Sequence, residues 1–419
     1  MAATREDCVE LDRADPLARL RELFDLPPDL LYLDGNSLGA LPKATGSRLS
    51  QVVMQEWGRD LIGSWNSADW IGLPARVGDK IARLVGAGPG ELVATDSTSV
   101  NLYKVLGAAL AIAHSDAPAA TRIVSERSNF PTDLYIAQGA ARERGFELVL
   151  AEASGIEAML DERVAVLMLT HVDYRSGRMH DMARLSRLAH DAGALVVWDL
   201  AHSAGAVPVE LRDANADFAV GCGYKYLNGG PGAPAFVWVH PRHADRFEQP
   251  LSGWMGHAAP FDFDAGYRPA PGVARYLCGT PPILSLAALD CGVDTLLAAE
   301  EFGGMPAIRR KSLSLSALFA ELTDEHCAGG GLVRLTPLAD AERGSQISYS
   351  RNEGAYAIVQ ALIARGVVGD FRAPDVLRFG FTPLYTRHVD VFDAVERLAS
   401  ILRSSEWQQP RFSRRAAVT

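Results

Sequence analysis

The chain has 419 residues, of which 48% are hydrophobic and 22% charged, the balance of a soluble globular protein with a large core. Its 41 Lys and Arg against 51 Asp and Glu give a net charge of −10, which argues against nucleic acid as a partner. The longest apolar runs, such as 106–113 and 164–169, are far shorter than the roughly 18 to 20 residues that span a bilayer, which argues against a membrane protein.

The N-terminal residues and the cysteines both indicate a cytoplasmic protein. Residues 1–23 alternate charged and apolar side chains, without the continuous apolar stretch of a signal peptide. The five cysteines form no CxxC pair, and a chain of this size does not need disulfide bonds for its stability. We therefore expect reduced thiols and a cytoplasmic location.

Residues 80–240 alternate short β-branched apolar runs with segments of helical period, which is typical of a parallel sheet wrapped by helices. The pattern predicts an α/β fold. In chain order, it predicts helix 102–113, strands 122–125 and 164–169, helix 179–191, and strands 194–198, 217–222 and 235–240.

The pattern changes after about residue 295, which predicts a smaller α+β domain at the C-terminus. We expect an N-terminal segment (1–50), a large domain (51–295) and a small domain (296–419). The predicted elements of the small domain are helix 308–322, strands 332–335 and 346–350, helix 355–365, strand 376–381 and helix 389–402.

Two strand ends of the large domain carry reactive side chains. Asp199 directly follows the apolar run 194–198, and ligands of open α/β sheets bind beyond the carboxyl ends of the strands. The alternative is that Asp199 caps a following helix. Lys225 stands between two tyrosines after the next strand, before a glycine-rich loop. A lone lysine is usually a solvated surface residue, but pyridoxal phosphate (PLP) chemistry needs both a lysine and an acid opposite the pyridinium nitrogen.

Two segments upstream could complete such a site. Three consecutive hydroxyls, Ser97, Thr98 and Ser99, open the helix that contains 102–113, and a helix N-terminus with hydroxyl donors suits a phosphate. Simple N-capping explains the same residues equally well. Phe130 follows the strand 122–125 and could stack on a pyridine ring, although an isolated phenylalanine is more often part of the core.

Two further motifs suggest other functions. The sequence Gly35-Asn36-Ser37-Leu38-Gly39 fits the GxSxG elbow of serine hydrolases, but it precedes every predicted unit of the parallel sheet. The sequence 230–235 fits GxGxxA, but a strand follows where a dinucleotide site needs a helix. The histidines and cysteines have no spacing typical of metal ligands, so we expect no metal.

Taken together, these motifs resemble the kynureninase family, within the fold-type I PLP enzymes and close to the class V aminotransferases. The resemblance covers about residues 30 to 390. The residues that carry it, besides the hydroxyl-rich helix start, are Asp34 to Gly39, Phe130 to Asp133, Asp199 to His202, Gly223 to Asn228, Ser252 to His257, Thr280 to Ile283, and Arg378 to Gly380.

The resemblance implies a PLP site and assigns its residues. Lys225 is implied to be the lysine that bonds covalently to PLP, and Asp199 the partner of the pyridinium nitrogen, with Tyr224 as a candidate proton shuttle. The other implied PLP contacts are Thr98 and Ser99 for the phosphate, Phe130, Pro131, Thr132, Asp133 and Thr170 around the ring, and His202 beside it.

The resemblance also implies a substrate site and a homodimer with shared active sites. Arg378 is implied to anchor the substrate's α-carboxylate, with Asn36 and Ser37 nearby; the alternative is an ordinary exposed arginine on an edge strand. Trp254 and Thr280 are expected to reach the neighbouring subunit's cofactor, and Thr280 stands where animal members carry asparagine.

The implied reaction is the hydrolytic cleavage of the Cβ–Cγ bond of L-kynurenine, and of its 3-hydroxy derivative, in tryptophan catabolism. The products are anthranilate, or 3-hydroxyanthranilate, and L-alanine. A cysteine desulfurase or selenocysteine lyase of the same fold is the nearest alternative. Such an enzyme needs a nucleophilic thiolate, for which Cys327 before three glycines is the candidate.

Overall fold

The computed structural model describes residues 3–247 and 249–415. Its α-helices are α1 Arg5–Arg13, α2 Lys43–Gln51, α3 Ser64–Ser67, α4 Leu73–Ala82, α5 Thr98–Asp116, α6 Pro131–Arg144, α7 Met182–Asp191, α8 Ile283–Leu297, α9 Gly304–His326, α10 Ala355–Ala364 and α11 His388–Ser404. Its strands are β1 Phe24–Asp25, β2 Leu31–Tyr32, β3 Leu41–Pro42, β4 Leu92–Thr95, β5 Arg122–Glu126, β6 Glu147–Ala151, β7 Val164–Thr170, β8 Leu195–Asp199, β9 Phe218–Gly221, β10 Ala235–Val239, β11 Val333–Arg334, β12 Gln346–Ser350, β13 Val367–Val368, β14 Asp370–Arg372 and β15 Val376–Gly380.

A seven-stranded sheet forms the centre of the large domain, in the order β4-β10-β9-β8-β7-β5-β6. Only β10 runs antiparallel to its neighbours in this sheet, so the predicted mainly parallel α/β fold is confirmed. Every side chain of β7 is buried, because helices cover both faces of the sheet. Strands buried on both faces read as continuous apolar runs, and this is why the central strands could be recognised in the sequence.

The register of the central strands brings polar side chains to one edge. In the β7–β8 pair, Thr170 lies opposite Asp199, and both are the last residues of their strands. Glu126 ends β5 on the other side of β7. The carboxyl ends of the parallel strands therefore form one polar rim, where an α/β sheet binds its ligands.

Capping residues explain where the predicted helix boundaries were wrong. Helix α7 begins at Met182 and not at 179, because the side chain of Asp181 accepts a hydrogen bond from the Arg184 N–H and caps the helix. Helix α5 begins four residues before its predicted start, capped by Ser97 through the N–H of Val100. Within the described residues, no helix is both long enough and apolar enough to cross a membrane.

A second sheet, in the order β11-β12-β15-β14, forms the small domain with α9, α10 and α11. Residues from the start of the chain join it: Leu31 and Leu33 pack in its apolar core, and β2 pairs with β13. The loop 171–181, between β7 and α7, also contacts this domain. Its Arg175 forms an ion pair of 2.8 Å with Asp375, and the backbone of Gly177 accepts a hydrogen bond from Gly344.

Glu126, at the end of β5, anchors the loop 171–181 to the large domain. Its carboxylate is buried and accepts hydrogen bonds from Arg178 Nη2 at 2.6 Å and from His180 Nε2 at 2.7 Å. Burial alone would raise the pKa of Glu126, but its hydrogen bonds with His180 and Ser128 and the Arg178 charge lower it to about 2. The carboxylate is therefore more stable in the folded chain than in the unfolded chain.

We expect this carboxylate to make stability depend on acid pH. Because the folded pKa is depressed, the stabilisation is complete above the unfolded value of 4.5 and is lost as pH falls toward about 2. The shift corresponds to a stabilisation on the order of 3 kcal/mol. Glu126→Gln should lower the melting temperature at pH 7 and approach the native chain's melting temperature only near pH 2, whereas Glu152→Gln in an exposed pair should change little. A constant difference between native and Glu126→Gln chains across this range would contradict the role.

Candidate active site

A cavity of about 140 Å³ lies at the carboxyl ends of the central strands. Most of the residues predicted to bind the cofactor line it, although they come from five separate segments of the chain. The lining residues among those predicted are Thr98, Ser99, Phe130, Thr132, Asp133, Thr170, Asp199, His202, Tyr224 and Lys225. Pro131 begins helix α6 directly beside Phe130 and is not part of the lining.

Lys225 projects into this cavity from the loop after β9. Its Nζ lies 2.9 Å from Nε2 of His202, a buried side chain. Burial and then the charge of Lys225 lower the pKa of His202 well below its usual range, so the imidazole is neutral and accepts the hydrogen bond. The backbone of Lys225 is fixed by the segment 34–39, since Gly39 N–H donates to the carbonyl of Tyr224 at 2.8 Å. A Cβ at Gly39 would lie 2.5 Å from the Lys225 carbonyl, so this approach requires glycine.

All five lysines of the chain lie in the described part, and only Lys225 lines the cavity. Lys104 and Lys311 are buried and bound in ion pairs with Asp96 and Asp15. The other two lysines lie elsewhere: Lys80 bridges Asp290 and Asp294, and Lys43 is exposed at the start of α2. The geometry therefore offers one amine to a ligand in this cavity.

Two buried carboxyl groups, those of Asp133 and Asp199, lie close together beside Lys225 in the cavity. Asp133, from α6, forms a hydrogen bond with Asp199. Burial and the charge of Asp199 raise the pKa of Asp133 well above its usual range, so Asp133 carries a proton that the pair shares. Burial also raises the pKa of Asp199. The hydroxyl of Thr170 donates to Asn129 Oδ1 at 2.5 Å and lies 3.4 Å from Asp133, which completes this polar floor.

The alternative reading of Asp199 as a helix cap is wrong. Its carboxylate accepts a hydrogen bond of 2.7 Å from the N–H of Ala201, but residues 201–206 form turns and not a helix. At the start of α5, by contrast, the capping reading is confirmed and the phosphate site stays a prediction. Ser97 caps the helix, while Thr98 and Ser99 of its first turn line the cavity.

Phe130 presents its ring at the mouth of the cavity and is not a core residue. It is 43% exposed and meets the ring of Tyr174 edge-on, with 5.2 Å between centroids. Tyr174 also lines the cavity, and its backbone carbonyl accepts hydrogen bonds from Arg378 and Gln346 of the small domain. The loop residue Tyr174 therefore joins the cavity to the small domain.

Arg378, in strand β15 of the small domain, lies in a polar cluster beside Tyr174. Its Nε donates to Asp370 Oδ1 at 2.8 Å, and its Nη2 donates to Ser37 Oγ at 2.9 Å. The side-chain amide of Asn36 is oriented so that its NH2 group faces Asp34 and its oxygen faces Arg378. In this orientation Asn36 accepts a hydrogen bond of 2.9 Å from Arg378 Nε. The alternative of an exposed arginine on an edge strand is wrong, because Arg378 is 1% exposed and β15 lies between β12 and β14.

Four residues of this region were not predicted from the sequence. Tyr174, Asn129, Asp370 and Arg372 contact the predicted site residues, yet none stands in a strand-end motif of the parallel sheet. One signal was available: Asp370 and Arg372 alternate along a short segment just before the Arg378 motif, so their side chains point to one face of the strand.

Trp254 and Thr280 do not line the cavity of their own chain. Trp254 is 37% exposed and packs against two exposed rings, Phe261 at 5.6 Å and Phe263 at 6.3 Å between centroids. Thr280 is also exposed. Its loop is held to the Trp254 segment by a hydrogen bond from Met255 N–H to the Cys278 carbonyl.

The geometry does not support the two alternative catalysts. Ser37 lies outside the seven-stranded sheet and donates its hydroxyl hydrogen to Asp370, with no histidine among its described partners. Cys327 is buried at the end of α9, and burial raises the pKa of its thiol to about 12, so it is not a thiolate at neutral pH.

A strand, β10, follows the GxGxxA match, where a dinucleotide site needs a helix. No group of three or more metal-ligating side chains occurs in the part of the chain that the structure describes.

The residues of the cavity fit PLP in three respects. The neutral Nδ1 of His202 is buried without a partner among the described atoms. The carboxyl pair of Asp133 and Asp199 lies where a cationic ring nitrogen would stabilise its ionised form. The first turn of α5, a helix of 19 residues, offers free backbone N–H groups and two hydroxyls to a phosphate.

Comparisons with known proteins agree with this geometry. The family model of the class-V aminotransferases matches residues 75–326, and that of the kynureninase C-terminal domain matches residues 308–398. A kynureninase of Burkholderia pseudomallei (strain 1106a) is 56% identical over 99% of this chain and 100% of its own length. A kynureninase of Pseudomonas fluorescens is 52% identical over the same shares of the two chains.

Solved structures show the same fold at lower identity. The apo cysteine desulfurase of Thermococcus onnurineus NA1 superposes with a TM-score of 0.75 at 21% identity, over 96% of this chain and 100% of that one. A mutant of C-DES, which carries glycine covalently linked to its PLP cofactor, gives a TM-score of 0.77 at 16% identity, over 90% and 98%. These likenesses confirm the fold-type I architecture. With relatives more than half identical over its full length, the chain belongs to the kynureninase family.

Proposed function

We propose that this chain binds PLP and hydrolyses L-kynurenine to anthranilate and L-alanine, a carbon–carbon bond cleavage. The observation that carries the proposal is the convergence of Lys225, the Asp133–Asp199 pair and the first turn of α5 on one cavity. The polar cluster around Arg378 lies beside that cavity and supplies positive charge for an amino-acid carboxylate. Tryptophan catabolism and a cytoplasmic location belong to the same proposal.

Each group of the cavity has a part in holding PLP. Thr98 and Ser99 would hold the phosphate at the start of α5, and the Phe130 ring would lie against the pyridine. Asp199, supported by Asp133, would hold the ring nitrogen, and Lys225 would carry the covalent link. When bound, PLP supplies an electron-withdrawing pyridinium that stabilises negative charge on the substrate carbons.

Two residues can move protons at the substrate. The free amine of Lys225 would accept the proton from the substrate Cα, while His202 Nε2 keeps Nζ oriented. Burial raises the pKa of Tyr224 well above its usual range. Its hydroxyl therefore stays protonated at neutral pH and can donate a proton when the carbon–carbon bond breaks. Arg378, with Asn36 and Ser37, holds the α-carboxylate.

The direct test is to incubate the pure protein and PLP with L-kynurenine and to follow the fluorescence of anthranilate. Parallel assays with 3-hydroxy-L-kynurenine rank the two substrates. Alanine should appear in equal amount, since one cleavage yields both products. Turnover of L-cysteine to alanine without any cleavage of kynurenine would instead favour a desulfurase.

Arg378→Ala should strongly reduce turnover while PLP still binds. Removing one partner of a desolvated charge pair costs about 2 to 5 kcal/mol, or roughly 30-fold to several-thousand-fold in kcat/KM. The measurement is steady-state kinetics with kynurenine, together with the absorbance of bound PLP. Arg334→Ala is the matched control, because Arg334 lies on β11 of the same sheet in an ion pair with Asp324. Unchanged kcat/KM in Arg378→Ala would show that the carboxylate is held elsewhere.

The same proposal includes a homodimer with shared active sites. Exposed aromatic rings of Trp254, Phe261 and Phe263 form an apolar surface next to Thr280, of a kind that usually marks an interface. Trp254 and Thr280 do not line their own cavity, and in a dimer they would reach the partner's cofactor. Light scattering of the holoenzyme measures its mass, which should be that of two chains.

The division of the chain into an N-terminal segment (1–50), a large domain (51–295) and a small domain (296–419) also remains part of the proposal.

A further inference from the structure

Gln346 is a buried residue of the small domain that lies against the loop 171–181. It begins β12, pairs with Gly380 of β15 across the sheet, and is 1% exposed. Gly177 of the loop packs directly on its side chain, since a Cβ at Gly177 would lie 2.7 Å from the Cγ of Gln346. The loop therefore leaves just enough room for the glutamine side chain between itself and the small-domain sheet.

The carboxamide of Gln346 has a fixed orientation. Its Nε2 donates to the carbonyl of Tyr174 at 3.1 Å and to Ser348 Oγ at 3.3 Å. Because a carbonyl can only accept, the nitrogen must face Tyr174, and Oε1 occupies the opposite side of the group. Oε1 itself is buried without a hydrogen-bond partner among the described residues. Since Tyr174 lines the cavity, Gln346 holds an unused acceptor next to the active site.

The imidazole of His202 presents a matching donor. Its Nε2 lies 2.9 Å from Nζ of Lys225 and accepts that hydrogen bond, which places the proton of the neutral ring on Nδ1. Burial and the charge of Lys225 lower the pKa of His202, whereas its side-chain contact with Gln346 raises it. An acceptor stabilises a protonated imidazole, so the atom of Gln346 that makes this contact is Oε1. Nδ1 and Oε1 are thus buried neighbours, and neither has a fully formed hydrogen bond within the described part of the chain.

Two features favour completion of this hydrogen bond when the cavity is filled. A buried donor and a buried acceptor without partners are each destabilising, and one short movement pairs both. The Tyr174 carbonyl that holds Gln346 also accepts from Arg378 Nη1 at 2.6 Å. The cluster expected to bind the substrate carboxylate and the Gln346 side chain therefore share one support, so a displacement of that carbonyl moves both.

We propose that Gln346 is a positioning residue of the active site, whose Oε1 accepts a hydrogen bond from His202 Nδ1 when PLP is bound. This bond fixes the tautomer of the ring, since the partner of one ring nitrogen decides which nitrogen carries the proton. Nε2 is thereby kept as the acceptor that orients Nζ of Lys225. The inference rests on the proposed function, because it presumes that Lys225 acts as the base.

The direct test is nitrogen NMR of the PLP-loaded enzyme with isotopically labelled histidine, because the ring nitrogens of the two neutral tautomers give distinct signals. The variant His202→Asn identifies the signals of this ring by their loss. The native enzyme should carry the proton on Nδ1. Gln346→Met has a side chain of similar length without the amide, and it should shift the proton toward Nε2.

The same substitution should lower kcat for kynurenine more than it changes KM, because it disturbs the base and not the binding of the substrate. Loss of the acceptor for a buried donor should lower kcat by roughly 5-fold to 100-fold. Ser348→Ala is the matched control, because it removes the other partner of the carboxamide nitrogen and leaves Oε1 unchanged. This control should keep the native tautomer and a kcat within about threefold of the native value.

Gln346→Glu separates the two ends of the carboxamide, since it keeps an acceptor for His202 but loses the donor to Tyr174. It should retain the proton on Nδ1 and recover part of the kcat that is lost in Gln346→Met. An equal loss in both variants would assign the effect to the Tyr174 contact and overturn the proposal.

Three other results would also overturn it: a native ring protonated on Nε2, a proton that stays on Nδ1 in Gln346→Met, or a shifted proton with an unchanged kcat. Failure of the native enzyme to cleave kynurenine would contradict the proposed function. The NMR comparison needs no turnover, so it would still decide whether Gln346 sets the tautomer of His202.

Discussion

Replacing Lys225 with alanine should abolish the borohydride-reducible bond between the chain and PLP and reduce turnover by at least roughly 10³-fold. The loss removes both the covalent link and the base for the Cα proton, and a positioned base alone contributes about 10² to 10⁴. No other lysine of the chain lines the cavity, and the three in ion pairs cannot replace Lys225 without breaking those pairs. The measurements are mass spectrometry of the borohydride-treated protein and steady-state kinetics.

Lys43→Ala is the matched control, because Lys43 is exposed at the start of α2 and has no ion pair among the described residues. This variant should retain both the covalent link and normal turnover. A native protein whose cofactor is fixed to a lysine other than Lys225 would overturn the assignment. Noncovalent PLP should still bind to Lys225→Ala, since the phosphate and ring contacts of Thr98, Ser99 and Phe130 remain.

Asp199→Asn should retain PLP but lose most activity. An amide cannot stabilise the pyridinium charge, and losing about 2 to 5 kcal/mol of this charge pair lowers kcat/KM by roughly 30-fold to several-thousand-fold. The measurements are kcat/KM for kynurenine and the absorbance spectrum of bound PLP. Near-normal rates in a variant that is fully loaded with PLP would contradict the role of Asp199.

The neighbouring carboxyl group of Asp133 allows a sharper version of this test. Because Asp133 shares a proton with Asp199, it could take over part of the negative charge when Asp199 is replaced. The Asp133→Asn variant alone should therefore be milder than Asp199→Asn, and the double variant should be worse than either. A double variant no worse than Asp199→Asn would show that Asp133 gives no such support.

Much of the fold and of the cofactor site could be predicted from the sequence, because both are encoded in short segments. The fully buried strands β7 and β8 are continuous apolar runs, and each ends in a residue that lines the cavity, Thr170 and Asp199. In parallel strands, consecutive ends lie at the same edge of the sheet. A lysine and an aspartate at two such ends were therefore enough to predict that they meet. Strand and helix ends were less accurate, since capping side chains such as Asp181 determine them.

Only the tertiary structure determined which charged side chains interact and which pair of carboxyl groups shares a proton. Asp133 and Asp199 are far apart in the sequence, and their shared proton depends on the dry space between α6 and β8. In the same way, Ser37 and Asp370 are far apart in the sequence but lie 2.8 Å apart, and the burial of Arg378 beside the partly exposed Arg372 follows from the pairing of β14 with β15. The sequence by itself determined the family and the fold and predicted the lysine that lines the cavity, because these depend on local motifs. The ionisation states and the accessible arginine depend on burial and on distances between distant segments, which no local pattern contains.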